Sequence, residues 1–186
     1  MTDKIKFWPV TAENWHDFEK LFESRGGPKS CWCTVWRTVA PLPTAERPAI
    51  AKKREMKRRI SSAEPVGLLG YVDSEPVAWC SIAPRDTYRA AMSEARPGDE
   101  TLNIWSIVCF FVSRPFRGQG MFQKMVAAAE AYAAKNGATL LEGYPVDPES
   151  PSYRFGGFVP AFEQAGYTPA GRKGERRHIV RKKLGM

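Results

Sequence analysis

The sequence predicts an α/β fold of the mixed α+β kind, a largely antiparallel sheet covered by helices on both faces. A nearly continuous apolar run at 104–112, IWSIVCFFV, is typical of a central strand buried on both faces. A helix and another strand follow it closely, which indicates two parallel strands joined by a crossover helix. Hairpin patterns at 66–84 and 167–184 add the antiparallel strands.

The opening segment is predicted to form a strand and then a helix. IKFWPV at 5–10 alternates enough for a strand, and Thr11 can cap the helix behind it. The apolar residues of that helix recur at helical spacing: Trp15, Phe18, Leu21 and Phe22.

A second helix is expected at about 45–62. Its apolar stripe is thin, with Ile50, Met56 and Ile60, so we expect this helix to lie at the surface. After the first hairpin, which turns at DSEP, residues 85–103 lose all periodicity. A loop of that length is typical of a lid or a substrate-binding segment.

The second half of the chain supplies the remaining elements. Apolar residues follow helical spacing from Met121 to Asn136-Gly137, a pair that tolerates the left-handed backbone at helix ends. ATLLEGYPV at 138–146 is the next predicted strand, and a last helix is expected at about 158–165. The closing hairpin is predicted to turn near Gly171 to Gly174.

Length and composition favour one compact domain. The chain has 186 residues with 43% hydrophobic content, and we expect residues 1–186 to form a single domain. No stretch approaches the ~18 apolar residues of a membrane span, and MTDKIKFWPVT lacks the features of a signal peptide. We therefore expect no membrane partner and a cytoplasmic location. The residues do not fix the oligomeric state, and a homodimer stays open.

The four cysteines do not form a disulfide framework. Cys80 and Cys109 lie in apolar strand-like runs, as reduced core thiols do. The CWC motif at 31–33 could supply two zinc ligands, but the only histidines are His16 and His178, and no second cysteine pair has ligand spacing. We expect no metal.

The chain is basic. Lys and Arg outnumber Asp and Glu by 28 to 20, a formal net charge of +8. Such a balance suits nucleic acid, a phosphorylated cofactor or an acidic substrate, and charge alone does not choose among them. The basic segments at 52–59 and 172–183 are most simply explained as the solvated faces of a helix and of a hairpin.

A cationic turn, RGQG at 117–120, joins the central strand to the next helix. Glycines expose backbone N–H groups where a helix begins, and there the unpaired donors meet the positive end of the helix dipole. Such a place binds phosphate, and Arg117 can add a charge-assisted contact. The turn is not a dinucleotide fingerprint, which would need glycine at Gln123, and it is not a P-loop.

This segment and the order of elements around it resemble the GNAT-type N-acetyltransferases. The family signature R/Q-x-x-G-x-G/A is compatible with RGQGMF at 117–122 in five of six positions. The exception is Phe122, where the family has a small residue beside the cofactor pyrophosphate. Val112 ends its strand five residues before Arg117, as in the family, and AFEQAGY at 161–167 matches its late helix-to-strand segment.

The resemblance implies the GNAT fold, in which two parallel strands splay apart, and acetyl-CoA as cosubstrate. The pyrophosphate would take backbone donors at the start of the helix, and the pantetheine arm would pair with the end of the central strand. The residues that this pose implies as cofactor-binding are Phe110, Phe111, Val112, Arg117, Gly118, Gln119, Gly120, Met121 and Phe122.

The resemblance also implies direct acetyl transfer to a primary amine through a tetrahedral intermediate. An alkylammonium has a pKa near ~10.4 and needs a base; Glu142 is the leading candidate, and a structural acid paired with an arginine is its alternative. The oxyanion donor would be the N–H of Phe111 or Val112. Phe162 stands where many relatives have a proton-donating tyrosine, and Tyr153 is the candidate to replace it.

Other assignments remain open at this stage. Glu100 and Asp147 are further candidates for the base, Tyr144 or water could serve as the acid, and Cys109 could act as a nucleophile in a two-step route. Four aromatic residues could line a pocket for an apolar or aromatic amine: Trp32, Trp36, Trp79 and Trp105.

Three functions compete. The first is acetyl-CoA-dependent N-acetylation of an amine, with a small molecule preferred over a protein as acceptor. The second is a noncatalytic acyl-CoA sensor of the same fold, which Phe122 and Phe162 together favour. The third is nucleic-acid binding through the basic segments, but no recognised binding fold or aromatic-basic platform supports it, so we expect no nucleic-acid partner.

Overall fold

The structure is a computed structural model that describes residues 5–38, 48–90 and 95–185. Its strands are β1 (Lys6–Pro9), β2 (Leu68–Val72), β3 (Glu75–Pro84), β4 (Ile104–Val112), β5 (Leu140–Gly143), β6 (Thr168–Lys173) and β7 (Arg177–Lys183). Its α-helices are α1 (Trp15–Glu23), α2 (Pro48–Ser61), α3 (Met121–Lys135) and α4 (Val159–Gln164). The elements follow one another in the predicted order.

The strands form one mixed sheet in the order β1-β2-β3-β4-β5-β7-β6. Neighbouring strands are antiparallel except β4 and β5, which are parallel, as expected for strands joined by a crossover helix. Apolar residues of α1 and α2 pack on one face of the sheet, and those of α3 and α4 pack on the other. The predicted mixed fold with helices on both faces is confirmed.

Helix α1 buries the four predicted aromatic and aliphatic residues, but its start differs from the prediction. The residue before the helix is Asn14, not Thr11, and its side chain makes no capping bond. Instead Asn14 Oδ1 accepts the N–H of Thr11 at 2.8 Å, and Asn14 Nδ2 donates to the Pro9 carbonyl at 2.9 Å. The asparagine therefore holds the β1–α1 connection rather than the helix end.

Helix α2 is less apolar on its buried side than an amphipathic helix usually is. Met56 and Ile60 are buried as predicted. Ile50 is 54% exposed, so the prediction that it belongs to the buried apolar stripe was wrong. Glu55 and Arg59 complete the buried side, with an ion pair of 2.8 Å between two side chains that are each 10% exposed. The predicted first residues of this helix, 45–47, lie outside the described residues.

The last strands and turns follow the sequence closely. Strand β5 ends at Gly143, before the predicted end at 146, and Val146 forms isolated bridges with Phe158 and Arg177. The β6–β7 hairpin turns at Gly174, whose φ is +65°. Within the described ranges, the helices are too short or too polar to traverse a bilayer.

Candidate functional site

The gap expected between the two parallel strands is present. Strand β4 pairs with β5 only up to Ile107, opposite Gly143, and from there to Val112 it pairs with β3 alone. The Phe162 ring of α4 lies against Gly143, where an added Cβ would come within 2.5 Å of the ring. Glycine at this position therefore lets an aromatic ring pack at the end of β5, where the two strands part.

Hydrogen-bond alternation shows which amides of β4 face the gap. The Ser113 N–H donates to the Val77 carbonyl at 2.8 Å, so the backbone of Ser113 points toward β3. Successive residues of a strand point their backbone groups in opposite directions within the sheet. Phe111 therefore also points toward β3, and the N–H groups of Phe110 and Val112 face the gap. Of the two predicted oxyanion donors, Phe111 and Val112, Val112 is therefore the one whose N–H faces the gap.

The turn after β4 needs its glycines for conformation. Gly118 has φ +74° and Gly120 has φ +68°, in the left-handed region that glycine favours. A Cβ added at either position would meet no atom within 4 Å. The turn thus adopts a left-handed backbone at both glycines, and both face open space.

The start of α3 offers a row of unpaired donors. Among the described residues, the amides of 118–123 have no protein acceptor: the preceding bond runs from Arg117 N–H to Arg114 O, and the next one from Lys124 N–H to Gly120 O. Arg117 Nε donates to the Val112 carbonyl at 2.8 Å, which ties the turn to the end of β4. The predicted phosphate-binding residues are therefore together, beside the open strand edge.

A cavity of about 430 Å³ runs from this turn along one face of the gap. It brings together five predicted cofactor residues, Phe110, Phe111, Val112, Arg117 and Phe122, and adds residues that the sequence reasoning missed: Met125, Arg154, Gly157, Phe158 and Ala161. The two arginines make this cavity cationic. The glycine pair that precedes Phe158 was the available sequence signal for the missed loop.

Phe122 forms part of the wall of this cavity. Its half-buried ring lies 4.6 Å from the Phe110 ring and 5.3 Å from the Phe162 ring, centroid to centroid. Gly157 gives it room, since a Cβ there would come within 2.8 Å of the Phe122 ring. The large residue at this signature position is thus accommodated by a glycine in the facing loop, and its N–H stays at the start of α3.

A second cavity, of about 370 Å³, shares Phe110 and Phe111 with the first. Its other described lining residues are Pro28, Ser30, Cys31, Cys33, Val35, Trp36, Val108, Cys109 and Phe155. No Asp or Glu is among the described residues that line either cavity. Of the four tryptophans predicted for an acceptor pocket, Trp36 lines this cavity, whereas Trp32, Trp79 and Trp105 are buried in the cores.

Glu142 lies away from both cavities, in a buried ionic network. Its fully buried carboxylate accepts Arg181 Nε at 2.6 Å and the Tyr144 hydroxyl at 2.5 Å. Arg181 also binds Asp99 through two bonds of 2.8 and 3.0 Å, and Arg85 binds Asp99 at 2.6 Å. This geometry favours the alternative to the general base, a structural acid paired with an arginine.

The network keeps Asp99 ionised. Burial raises the pKa of Asp99, but hydrogen bonds from Arg181 and Arg85 outweigh it and hold that pKa well below its usual range. In return, Asp99 and Glu142 raise the pKa of Arg181 against the effect of burial. Sequence reasoning missed Asp99 and Arg181 as partners, since they are 82 positions apart in the chain.

Tyr153 lines neither of the two cavities, but it contacts Trp36, which lines the second one. It has a left-handed φ of +58°, is 38% exposed and packs its ring 5.9 Å from that of Trp36. The guanidinium of Arg177 lies 4.2 Å from the Trp36 ring and 5.4 Å from the Tyr153 ring. The alternative proton donor, Tyr144, is buried and already bonded to Glu142.

Two further carboxylates proposed as bases are also remote from the cavity linings. Glu100 is exposed and accepts the Gly98 N–H at 2.8 Å, and Asp147 pairs with His178 at 2.9 Å. All four cysteines are free thiols. Over the described ranges, no three His, Cys, Asp or Glu side chains are grouped so that they could hold a metal ion.

Comparisons with known proteins agree with this architecture. Residues 31–155 match the profile of the acetyltransferase (GNAT) family. The structure is similar to the GNAT domain of S. lividans PAT, with a TM-score of 0.61 and 16% identity over 97% of this chain and 90% of that one. No curated protein sequence matches the chain.

Two similar structures contain coenzyme A. Aminoglycoside acetyltransferase AAC(6')-Ib in complex with coenzyme A has a TM-score of 0.57 and 14% identity, over 97% of this chain and 95% of that one. The PaiA N-acetyltransferase from Thermoplasma acidophilum in complex with coenzyme A has a TM-score of 0.55 and 14% identity, over 97% and 99%. At these identities the likeness shows the fold alone.

Proposed function

Because the chain belongs to the acetyltransferase (GNAT) family, we propose that it is an acetyl-CoA-dependent N-acetyltransferase whose acceptor is a small amine with an apolar body. The observation that carries the proposal is the meeting of two cavities at one unpaired strand edge. Phe110 and Phe111 line both cavities, so a thioester laid along this edge would face an amine in the other cavity.

The first cavity is suited to coenzyme A. The diphosphate would accept hydrogen bonds from the unpaired amides of 118–122 and from the two NH₂ groups of the Arg117 guanidinium, which have no protein partner among the described residues. Arg154 lines the same cavity and adds positive charge. The pantetheine amides would pair with the gap-facing backbone of Phe110, as an added strand does, which leaves the Val112 N–H for the oxyanion. Two structural neighbours were solved in complex with coenzyme A, which supports coenzyme A as the ligand of this cavity.

The chemistry proposed at this edge is direct attack of the amine on the thioester carbonyl. The Val112 N–H, which faces the gap, would donate to the oxyanion of the tetrahedral intermediate. Its carbonyl is held by Arg117 at 2.8 Å, which fixes the orientation of the strand end. The leaving thiolate is the conjugate base of a thiol with a pKa near ~8.5, so water or Tyr153, whose ring contacts Trp36, would protonate it.

The second cavity indicates an apolar acceptor. Aromatic and aliphatic side chains and three cysteines form most of its described wall, and Ser30 is the one hydroxyl residue there. A volume of about 370 Å³ suits a small molecule. An acceptor with many hydroxyl groups would leave buried polar atoms unpaired in such a cavity. We therefore assign it to the hydrophobic part of a small amine rather than to a polyol.

In this proposal Glu142 is a structural acid that holds Arg181, and Tyr153 is the candidate acid for the thiolate. One domain would carry both cavities, and the cytoplasm is the proposed location. Four free thiols suit that reducing compartment.

Coenzyme binding and turnover together test the proposal. Gly120→Ala would strain the left-handed turn by about 1–2 kcal/mol and displace the amides, so we expect acetyl-CoA to bind about tenfold more weakly by calorimetry. Gly98→Ala is the matched control, because Gly98 has φ +91° and equal open space but lies in the loop before β4 rather than in the turn between β4 and α3.

Thiol release from acetyl-CoA with a panel of amines is the second measurement. We expect turnover with phenylalkyl and alkyl amines and little with amino sugars. Coenzyme binding without turnover on any amine would favour the noncatalytic sensor. Equal weakening by Gly120→Ala and Gly98→Ala would remove the diphosphate pose from consideration.

A further inference from the structure

Two arginines from distant parts of the chain meet at one indole beside the second cavity. The Arg177 guanidinium lies 4.2 Å from the centre of the Trp36 ring, and the Arg89 guanidinium lies 5.9 Å from it. Trp36 lines the second cavity, so both positive charges lie next to the space assigned to the acceptor. The acetyl-transfer chemistry described above uses neither of them.

The backbone around Arg177 is held on both sides. Arg177 begins β7, where it pairs with Lys173 of β6 and also forms an isolated bridge with Val146. Its side chain is half-buried, and its guanidinium lies 5.4 Å from the centre of the Tyr153 ring as well as over the indole. The strand and the two rings therefore fix the place of this positive charge.

Arg89 is attached to the wall of the second cavity. Its backbone N–H donates to the Trp36 carbonyl at 2.8 Å, and its guanidinium donates to the Val35 carbonyl. Trp36 and Val35 both line that cavity. Arg89 thus adds a second positive charge from the side of the chain that carries the indole.

A third cavity, of about 190 Å³, continues from this cluster. Its described lining residues are Tyr153, Lys173, Gly174, Glu175, Arg176 and Arg177, so three cations and one anion surround it. The Trp36 ring lies 5.9 Å from the Tyr153 ring and 4.2 Å from the Arg177 guanidinium. One indole therefore connects the apolar lining of the second cavity with the cationic lining of the third.

A guanidinium that packs over an aromatic ring is suited to an anion. Its N–H donors remain in its own plane, where a carboxylate can accept two parallel hydrogen bonds. The same charge repels an ammonium group, so a positively charged end of a ligand would avoid this place. The third cavity therefore matches a negatively charged group next to an apolar one.

We propose that Arg177, assisted by Arg89, forms a carboxylate-binding subsite, and that the acceptor is an amine whose apolar body carries a carboxylate at the opposite end. This inference rests on the proposed function, because it takes the second cavity as the place of the amine. The thioester edge at Phe111 lines the second cavity and Arg177 lines the third. An aromatic or alkyl spacer must therefore separate the two groups, and an α-amino acid, with both groups on one carbon, is too short.

Three acceptors of similar shape test the subsite: para-(aminoethyl)benzoate, its neutral amide para-(aminoethyl)benzamide, and phenylethylamine. Thiol release is measured at saturating acetyl-CoA with the full-length protein. We expect KM for the benzoate to be about tenfold lower than KM for the benzamide, the size of one charge-assisted contact. Turnover with equal KM values would overturn the subsite and leave the acetyltransferase proposal intact.

Arginine variants locate the contact. Arg177→Gln should bring the ratio of the two KM values close to one, whereas Arg177→Lys, which keeps the charge but loses the planar fork, should keep part of it. Arg172→Gln is the matched control, because Arg172 is exposed on β6 of the same hairpin and is not among the residues that line the third cavity. If Arg172→Gln lowers the ratio as much as Arg177→Gln does, general attraction by the basic hairpin explains the preference and the subsite is refuted.

Binding of para-ethylbenzoate, which has no amine, is the second measurement. Calorimetry with the coenzyme A-saturated protein should show binding that Arg177→Gln weakens about tenfold and Arg89→Gln weakens less, since its guanidinium lies farther from the indole. Tighter binding of the matching phosphonate would overturn the choice of a carboxylate. If Arg177→Gln fails to fold in a thermal melt, Arg89→Gln and the wild-type acceptor series still decide the matter. Arginine-dependent binding of para-ethylbenzoate without turnover on any amine would refute acetyl transfer while supporting the subsite, so the two failures are distinguishable.

Discussion

Glu142→Gln separates the two roles that the sequence leaves open for this residue. The carboxylate is fully buried, with Arg181 at 2.6 Å and the Tyr144 hydroxyl at 2.5 Å. The glutamine amide keeps the shape of the side chain but removes its negative charge, and its NH₂ group then faces a hydrogen-bond donor. Breaking a buried pair from one side costs about 3–5 kcal/mol. Because Arg181 keeps Asp99, we expect the lower end, about 3 kcal/mol.

The assay compares stability with rate. For a chain of this size, about 3 kcal/mol corresponds to a fall in Tm of about 6–12 °C in a thermal melt. A structural acid predicts that kcat/KM for the best amine changes less than about tenfold below the transition, whereas removal of a general base costs about 10²–10⁴-fold. Asp99→Asn is the matched control, at the other end of the same network, and should give a similar melt and a similar rate. An unchanged Tm with a hundredfold loss of kcat/KM in Glu142→Gln alone would refute the structural role.

Three further predictions concern packing, pH and the acceptor. Gly143→Ala places a Cβ within 2.5 Å of the Phe162 ring and should cost about 1–3 kcal/mol in urea unfolding, with partial recovery when Phe162→Leu is added; no loss would contradict the close packing. The pKa of Asp99 is lowered in the folded protein, so its stabilisation should be complete above about pH 5 and should decline as pH falls below about 4. The difference in unfolding free energy between the wild type and Asp99→Asn should therefore narrow in acid. A difference that stays constant with pH would argue against the ion pair. Trp36→Ala should raise KM for phenylalkyl amines about tenfold without changing acetyl-CoA affinity, and an effect confined to acetyl-CoA would reassign the second cavity.

Local patterns were sufficient for the elements and for the turn. The continuous apolar run of β4 and the helical spacing from Met121 each have one physical explanation, so the strand, the turn and the helix appear where predicted. Gly118 and Gly120 could be assigned to the turn because glycine lets the backbone N–H groups be exposed there, and the structure shows that both adopt the left-handed backbone that glycine tolerates. The resemblance then supplied what the residues alone did not, namely the parting of β4 from β5.

Contacts between distant residues could not be predicted in the same way. Glu142 and Arg181 are 39 positions apart, and no local pattern shows that they meet across β5 and β7. The same holds for Phe122, whose space is supplied by Gly157 in another loop. Four tryptophans could not be divided into core and cavity by type, because all four are large apolar residues, and only the packing places Trp36 at the cavity.

If the second cavity holds the acceptor, as proposed, the absence of Asp and Glu among its described lining residues changes which group has to accept the proton. An alkylammonium that leaves water for apolar walls loses part of its solvation, and desolvation disfavours the charged form of an amine by up to several pKa units. In the proposed reaction the cavity of Trp36 and Phe111 would therefore select the neutral amine, and the ammonium proton would stay in the solvent. The free energy of deprotonation would then enter the binding step, so it would raise KM rather than lower kcat. Under this arrangement Glu142 can remain buried in its ion pair throughout turnover, because the proton that the nitrogen of the tetrahedral intermediate must lose would pass to the leaving thiolate, through water or Tyr153.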